Sequence, residues 1–453
     1  MEKTQTAEKE AKAKVIEKGL GVAELYAISI GTVIGAGVFT VLGSAIAVTG
    51  KSVWIAYVLA VILGFLLNFP SYIVSHMAVL QGGSYSMVSG LLGQKWAGMF
   101  LLMYVPVSFS YALFGLGLGQ YVQALFPMVS AKLVGVLVIT FFFVLNLFSM
   151  KNMATLQKLM TWLLIASLLI FIVFGLPKIN SAPFEFASED YFLNGGSGFV
   201  TALILLIYST TSYIQVTNYG GVARNPKKDT PKVIVMSAVT ILIIYACAAI
   251  VSTGILPIDQ VAGQPLTYVA AVILPKPLFV VLILGGVVMA LATTLNSMFG
   301  SFGRIFAQGC ADGWFPDWLA KRNRYDQPYI LFTITWLIGI LPIILDFDIN
   351  TITNNIVLVS YAMALLPRAA MFMMPTKYPE VCKKSKAFGS KGVFYFINAF
   401  SLVLHIVVTY LAASALTPTI VIVSLSALAL CVVFALMRSK SGRVVIHSSF
   451  KVD

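Results

Sequence analysis

The chain alternates long apolar runs with short polar connections, and the runs are longer than the helices of most soluble cores. Twelve of them stand out, at 22–49, 53–77, 98–126, 132–150, 158–176, 197–222, 233–255, 278–307, 328–345, 350–374, 393–414 and 418–437. An apolar helix of about 20 residues crosses the hydrocarbon of a bilayer, whereas a barrel strand alternates over about 10. The pattern predicts an all-α membrane protein with twelve transmembrane helices. Between the second and third runs, Gln81-Gly82-Gly83-Ser84-Tyr85 reads as a short interfacial or re-entrant helix. The 177–196 stretch, with Glu185, Glu189 and Asp190, reads as an outer loop.

Two runs carry interruptions. The first contains Gly31-Thr32-Val33-Ile34-Gly35-Ala36-Gly37-Val38-Phe39, and glycine's weak helix propensity invites the helix to open there. Hydrocarbon cannot satisfy the freed N–H and C=O groups, so an opening at this depth needs buried protein, water or a ligand. The plainer reading is close packing, since Gly31 and Gly35 have the small-xxx-small spacing of helix contacts. A dinucleotide fingerprint is excluded, because the third glycine and the strand–turn–helix context are missing. The sixth run holds Tyr208-Ser209-Thr210-Thr211-Ser212-Tyr213, six hydroxyls in a row that compete for backbone hydrogen bonds. The breaks thus open successive groups of five helices. Groups with an odd number of spans insert with opposite orientation, and paired interrupted helices point to a transport site.

Composition agrees with this reading. The chain is 59% hydrophobic and 10% charged, against about 25% charged in soluble domains. The net charge of +13 has a topological origin: with the N-terminus inside, 26 of the 30 Lys and Arg fall on the inner side. The basic charge therefore implies no nucleic acid partner. No cleavable signal peptide is apparent before the first run, because the chain opens with a Lys/Glu-rich arm from Glu2 to Lys18. Cys247, Cys310, Cys382 and Cys431 lack disulfide or zinc spacing, and neither metal nor cofactor is expected.

Three stretches resemble the amino acid–polyamine–organocation transporters. Gly31 to Phe39 is similar to that family's G-[ST]-x-x-G-[SA]-G-[IV]-F. Arg224-Asn225-Pro226-Lys227-Lys228-Asp229-Thr230-Pro231 is similar to its N-P-x-x-x-x-P, and Arg304 through Asp312-Gly313-Trp314-Phe315-Pro316 to its R…A-x-D-G-x-x-P. The resemblance runs from Gly19 onward. It implies two inverted five-helix repeats (21–176 and 197–374), helices 11 and 12 (393–437), an N-terminal arm (1–20) and a tail (438–453). Helices 1 and 6 are broken in that family. By resemblance, the amides around Gly35, Ala36 and Gly37 take a substrate carboxylate. Carbonyls near Val33, Ile34, Tyr208 and Thr211, with Ser209 beside them, take its ammonium, and the Tyr208 ring covers it. Many members have Ser where this chain has Ala36. Members often carry Glu at places held here by Ile214, Gly220 and Gly221, and some proton-coupled members have a fifth-span Lys absent from Thr161 to Leu164.

Of the seventeen acidic residues only Glu24 lies within a predicted span, at its inner end. It and the Thr293–Thr294 pair are the candidates for ion coupling. His405 has no carboxylate partner in its run and reads as a packed histidine. A polyamine would want buried carboxylates, whereas a zwitterion is matched by helix ends and carbonyls. Neutral amino acids lead on this ground. Cationic amino acids or their amines, able to use cation–π contact with Tyr208 or Tyr104, come second, and proton-coupled uptake remains an alternative. No nucleophile–base or metal constellation argues for an enzyme, and no added soluble domain argues for a sensor. The expected place is the cell membrane with both termini cytoplasmic; the pattern sets no oligomeric state.

Overall fold

Each apolar run closes its backbone hydrogen bonds within itself, and the polar residues between runs set where helices start. The computed structural model describes residues 19–35, 37–180, 182–414, 416–447 and 449–452, without the side chains of Thr40, Ala124, Leu125, Ala182, Tyr208 and Asn350. The N-terminal arm expected at 1–20 therefore lies outside the described residues up to position 18. The longer helices are α1 (Val22–Val33), α2 (Leu42–Thr49), α3 (Val53–Met77), α4 (Ser84–Leu92), α5 (Gln94–Val107) and α6 (Ser110–Leu125). Then come α7 (Ala131–Asn146), α8 (Met150–Gly175), α9 (Gly195–Thr210) and α10 (Pro226–Ile255). The chain goes on through α11 (Lys276–Val281), α12 (Met289–Ala311), α13 (Tyr329–Ile344), α14 (Ile349–Met371), α15 (Lys391–Ser414) and α16 (Pro418–Lys440). Side-chain caps mark several starts: Ser149 Oγ accepts from Asn152 N at 3.4 Å, and an Asp348 carboxylate oxygen accepts from Thr351 N at 2.6 Å.

Among the described residues, nine stretches are long and apolar enough to cross a membrane. Three shorter apolar helices, Val22–Val33, Ala131–Asn146 and Tyr329–Ile344, accompany them. Large apolar side chains stand exposed along many of these helices, Phe396 and Leu430 at 71% each, as a lipid-facing surface requires and a water-facing one does not tolerate. Several boundaries differ from the pattern. The run at 98–126 is two helices, α5 and α6, parted at Ser108–Phe109, because Pro106 cannot donate to the helical ladder. The run at 278–307 is α11 and α12 joined by a π-helical stretch, Leu282–Val288. The segment after α3 does hold a short helix, α4.

Two apolar cores share the interior. One joins α1, α2, α3, α8, α9 and α10, with Leu25, Phe39, Tyr57, Leu206 and Tyr245 at its centre. The other joins α5, α6, α7, α12 and α13 around Tyr111, Phe142, Phe299 and Phe332. A third, smaller cluster lies at the end of the molecule where the tail returns to the segment after α3. There β1 (Val79–Leu80) pairs antiparallel with β2 (Phe450–Lys451), and Phe450 packs with Met87, Leu91 and Met371. The opposite end is tied by Lys51, whose ammonium lies 2.8 Å from an Asp190 carboxylate oxygen and 3.3 Å from one of Glu185.

Candidate functional site

α1 stops at mid-chain depth for reasons visible in its sequence. At Ile34 the backbone turns to φ −81°, ψ 70°, and a π-helical turn begins only at Gly37, running to Val41. The last carbonyls of α1 lose helical partners and find others. Gly31 O accepts from both Thr293 Oγ1 and Thr294 Oγ1, each at 3.0 Å, and Val33 O accepts from the Tyr245 hydroxyl at 3.2 Å. One turn earlier, Ala27 O accepts from Thr161 Oγ1 at 2.9 Å and Gln157 Nε2 at 3.3 Å. Gln157 is itself held by Asn296 Nδ2 at 2.7 Å, and Asn296 Oδ1 by Asn146 Nδ2 at 3.1 Å. Four helices thus support the carbonyl end of α1.

The second break is built the same way. α9 ends at Thr210 and the chain continues as a 3₁₀ helix, Ser212–Val222. Ser209 and Thr210 turn their hydroxyls back onto Leu206 O and Ile207 O, at 2.9 and 3.0 Å, the competition expected of a hydroxyl run. Asn68 Nδ2 donates to Thr211 O at 3.0 Å, and Ser29 Oγ to Tyr213 O at 3.0 Å. The Ser29 contact ties the second break directly to α1.

The two breaks touch. A Cβ on Gly37 would lie 2.7 Å from Ser209 Cβ, so only glycine lets these backbones approach. A Cβ on Gly35 would lie 3.1 Å from Thr294 Oγ1 and 3.8 Å from the Phe114 ring, which sets Gly35 against the second core. Of the residues read from the sequence, the fold brings Val33, Ile34, Gly35, Gly37, Ser209, Thr211, Thr293 and Thr294 to one place. Ala36 and the Tyr208 side chain lie outside the described residues. Glu24 sits apart, at the start of α1. Its carboxylate accepts from Gly21 N at 3.1 Å and pairs with Lys158 Nζ at 3.0 Å, so it caps the helix and ties it to α8.

Thr293 and Thr294 offer hard oxygens beside Gly31 O and Ala290 O, a donor type suited to a small cation, although both hydroxyl protons are already donated. Among the described residues, no group of three or more His, Cys, Asp or Glu gathers to hold a metal. Tyr245, Gln157, Asn296, Asn146 and Asn68 escaped the sequence reading. Their signal was present, as polar side chains inside apolar runs, but nothing in one sequence says which backbone group a buried polar side chain meets. A cavity of about 500 Å³ opens at the end marked by Lys51, lined by Asn180, Asp190, Thr253, Pro257 and Asp259. This open vestibule is not where the breaks meet, since none of their residues lines it.

The sequence profile of the amino acid permease family matches residues 20–438. The chain belongs to that family. Its relatives are distant along most of their length. It is similar to the branched-chain amino acid permease BcaP of Bacillus subtilis, with 23% identity over 84% of this chain and 85% of the relative. It is similar to the serine/threonine exchanger SteT of the same organism, with 25% identity over 64% of this chain and 67% of the relative. It is similar to the D-serine/D-alanine/glycine transporter of Escherichia coli, with 26% identity over 69% of this chain and 70% of the relative. The permease is a multi-pass membrane protein and not an enzyme.

Proposed function

We propose that this permease exchanges neutral amino acids across the cell membrane by alternating access. Two inverted groups of five helices, 21–176 and 197–374, would carry the site, followed by helices at 393–437, with both termini in the cytoplasm. The observation that carries the reading is the contact of Gly37 with Ser209, which sets two backbone openings against each other. Amides after the first break, around Gly35, Ala36 and Gly37, suit a carboxylate, since a helix start presents free N–H groups. Carbonyls at Val33, Ile34, Tyr208 and Thr211 suit an ammonium, and the Tyr208 ring is the lid. Among the described residues the site bears no carboxylate of its own, which favours a substrate that brings both charges. The similarity to a branched-chain amino acid permease, a serine/threonine exchanger and a D-serine/D-alanine/glycine transporter supports the substrate class.

Uptake into proteoliposomes tests it. Labelled amino acids should enter vesicles preloaded with unlabelled ones, and unlabelled neutral amino acids should compete. A reconstituted protein that accumulates no amino acid from the panel would show the reading to be wrong.

A further inference from the structure

Among the described residues, one guanidinium group stands near the second break with no carboxylate paired to it. Arg368 lies in the last turn of α14, with Nη1 donating to Ala364 O at 2.6 Å and Nη2 to Asn68 Oδ1 at 3.4 Å. Its Nε is buried and has no hydrogen-bond partner. Asn68 turns its amide nitrogen the other way, onto Thr211 O. The cation is therefore two hydrogen bonds from the opened backbone of the second break.

Acids elsewhere in the molecule have partners of their own. Glu24 pairs with Lys158, and Asp312 takes the Tyr85 hydroxyl, Gln308 and the backbone N–H of His447. Asp229 accepts from Asn225 N. Arg304, another half-buried arginine, lies over an aromatic face, 4.2 Å from the Tyr219 ring centre. The corner around Arg368 holds further unmet polar atoms. Ser401 of α15 donates to Leu67 O, next to Asn68, and one turn away both amide atoms of Asn398 are buried without partners.

An arginine in the last turn of a helix often serves only the helix dipole, and one bond to Ala364 O fits that role. A dipole partner gains nothing from reaching inward to an amide that supports a break. A lone positive charge there has a second effect: it repels a second cation brought to the same place.

We propose that Arg368 is a specificity-determining residue that makes the permease reject amino acids with a cationic side chain. The proposal rests on the amino acid exchange reading and names the side-chain class it admits. Norleucine and lysine share a chain and differ in the terminal ammonium, so the pair isolates charge. In exchange assays on proteoliposomes, lysine should compete for a labelled neutral substrate about tenfold less well than norleucine. That is the size expected of a unit charge about 10 Å away at the effective dielectric of a protein.

The gap should close in Arg368→Gln, which keeps a polar side chain, and persist in Arg368→Lys, which keeps the charge. A merely structural role would weaken norleucine and lysine together and leave their ratio unchanged. Equal competition by the two in the parent protein overturns the proposal without any variant. So does a ratio unmoved in a transporting Arg368→Gln protein. A parent that exchanges no amino acid at all overturns the transport reading itself, and the role of Arg368 falls with it.

Discussion

At the scale of single residues, the site depends on how closely two backbones can lie. Gly37 faces Ser209 with no room for a side chain, and overpacking of this kind costs about 1–3 kcal/mol. Gly37→Ala should therefore lower substrate affinity by about tenfold or more and lower the melting temperature in detergent. Ser209→Gly should be mild alone, because its hydroxyl donates back to Leu206 O on its own helix. Combined with Gly37→Ala it should restore part of the loss, since the added methyl then has space. A coupling of about 0.5–3 kcal/mol is expected between residues in contact. Titrating both single variants and the double variant gives that coupling, and simply additive losses would refute the contact. The glycines were legible in the sequence because few residues behave as they do. Ser209 was legible only as one hydroxyl in a row of six, since sequence spacing does not reveal which helix a hydroxyl run faces.

At the scale of elements, the two ends of the molecule are held differently. The end near the vestibule is held by charge. Burial alone would raise the Asp190 pKa, but the hydrogen bond and charge of Lys51 outweigh it and hold the carboxyl below its ordinary 3.8. Burial would lower the Lys51 pKa, and Asp190 and Glu185 together hold it above its ordinary 10.5. A depressed carboxyl stabilises fully above its unfolded value and ceases to do so as pH falls through the folded one. A raised ammonium stabilises below its unfolded value and ceases to do so at higher pH. The tie should therefore be constant from about pH 5 to 9 and fail below about pH 4. Lys51→Met should cost about 1 kcal/mol at neutral pH, since both acids are a third or more exposed. It should also flatten the acid limb of a melting-temperature profile; an acid limb as steep as the parent's would count against the tie.

The opposite end is held by packing and hydrogen bonds. β2 pairs with β1, Phe450 is 2% exposed, and Arg438 Nη2 donates to Gly313 O at 3.0 Å. Phe450→Ala should free the last residues of the tail, because deleting a buried phenylalanine costs about 3–5 kcal/mol. Limited proteolysis should then clip the tail while the remaining helices resist; a tail as resistant as the parent's would be the contrary result. The strand pairing at this end was not legible, since two-residue strands leave no period to read. The long helices were legible from length alone. The parting of α5 from α6 was not, although Pro106 marked it.

At the scale of the whole molecule, the sequence pattern carried the membrane class and missed the division of the interior into two cores. That division depends on which helices touch, and helices of nearly uniform hydrophobicity give no facing direction to read. Gly35 and the carbonyl end of α1 lie along the seam, supported by Thr294 and Phe114 from the second core. A seam between two packed bodies is where rocking would open one side and then the other. What drives the rocking is the last question of scale. A driving ion must bind one conformation better than the other, because only differential binding shifts an equilibrium. Glu24 is engaged by Lys158, and the Thr293 and Thr294 hydroxyls are engaged by backbone carbonyls, so each candidate site would have to give up a partner to take an ion. With the breaks unfilled, the empty carrier should switch slowly; bound amino acid would satisfy both breaks and let it switch in either direction. Efflux of labelled amino acid from preloaded proteoliposomes should accelerate severalfold when amino acid is added outside, and should do so equally in sodium-free buffer and without a pH gradient. Accumulation into vesicles that hold no amino acid, powered by an imposed sodium or proton gradient, would overturn obligatory exchange. Glu24→Gln and Thr294→Val would then separate the two candidates, because a proton route should fail in the first and a sodium site in the second.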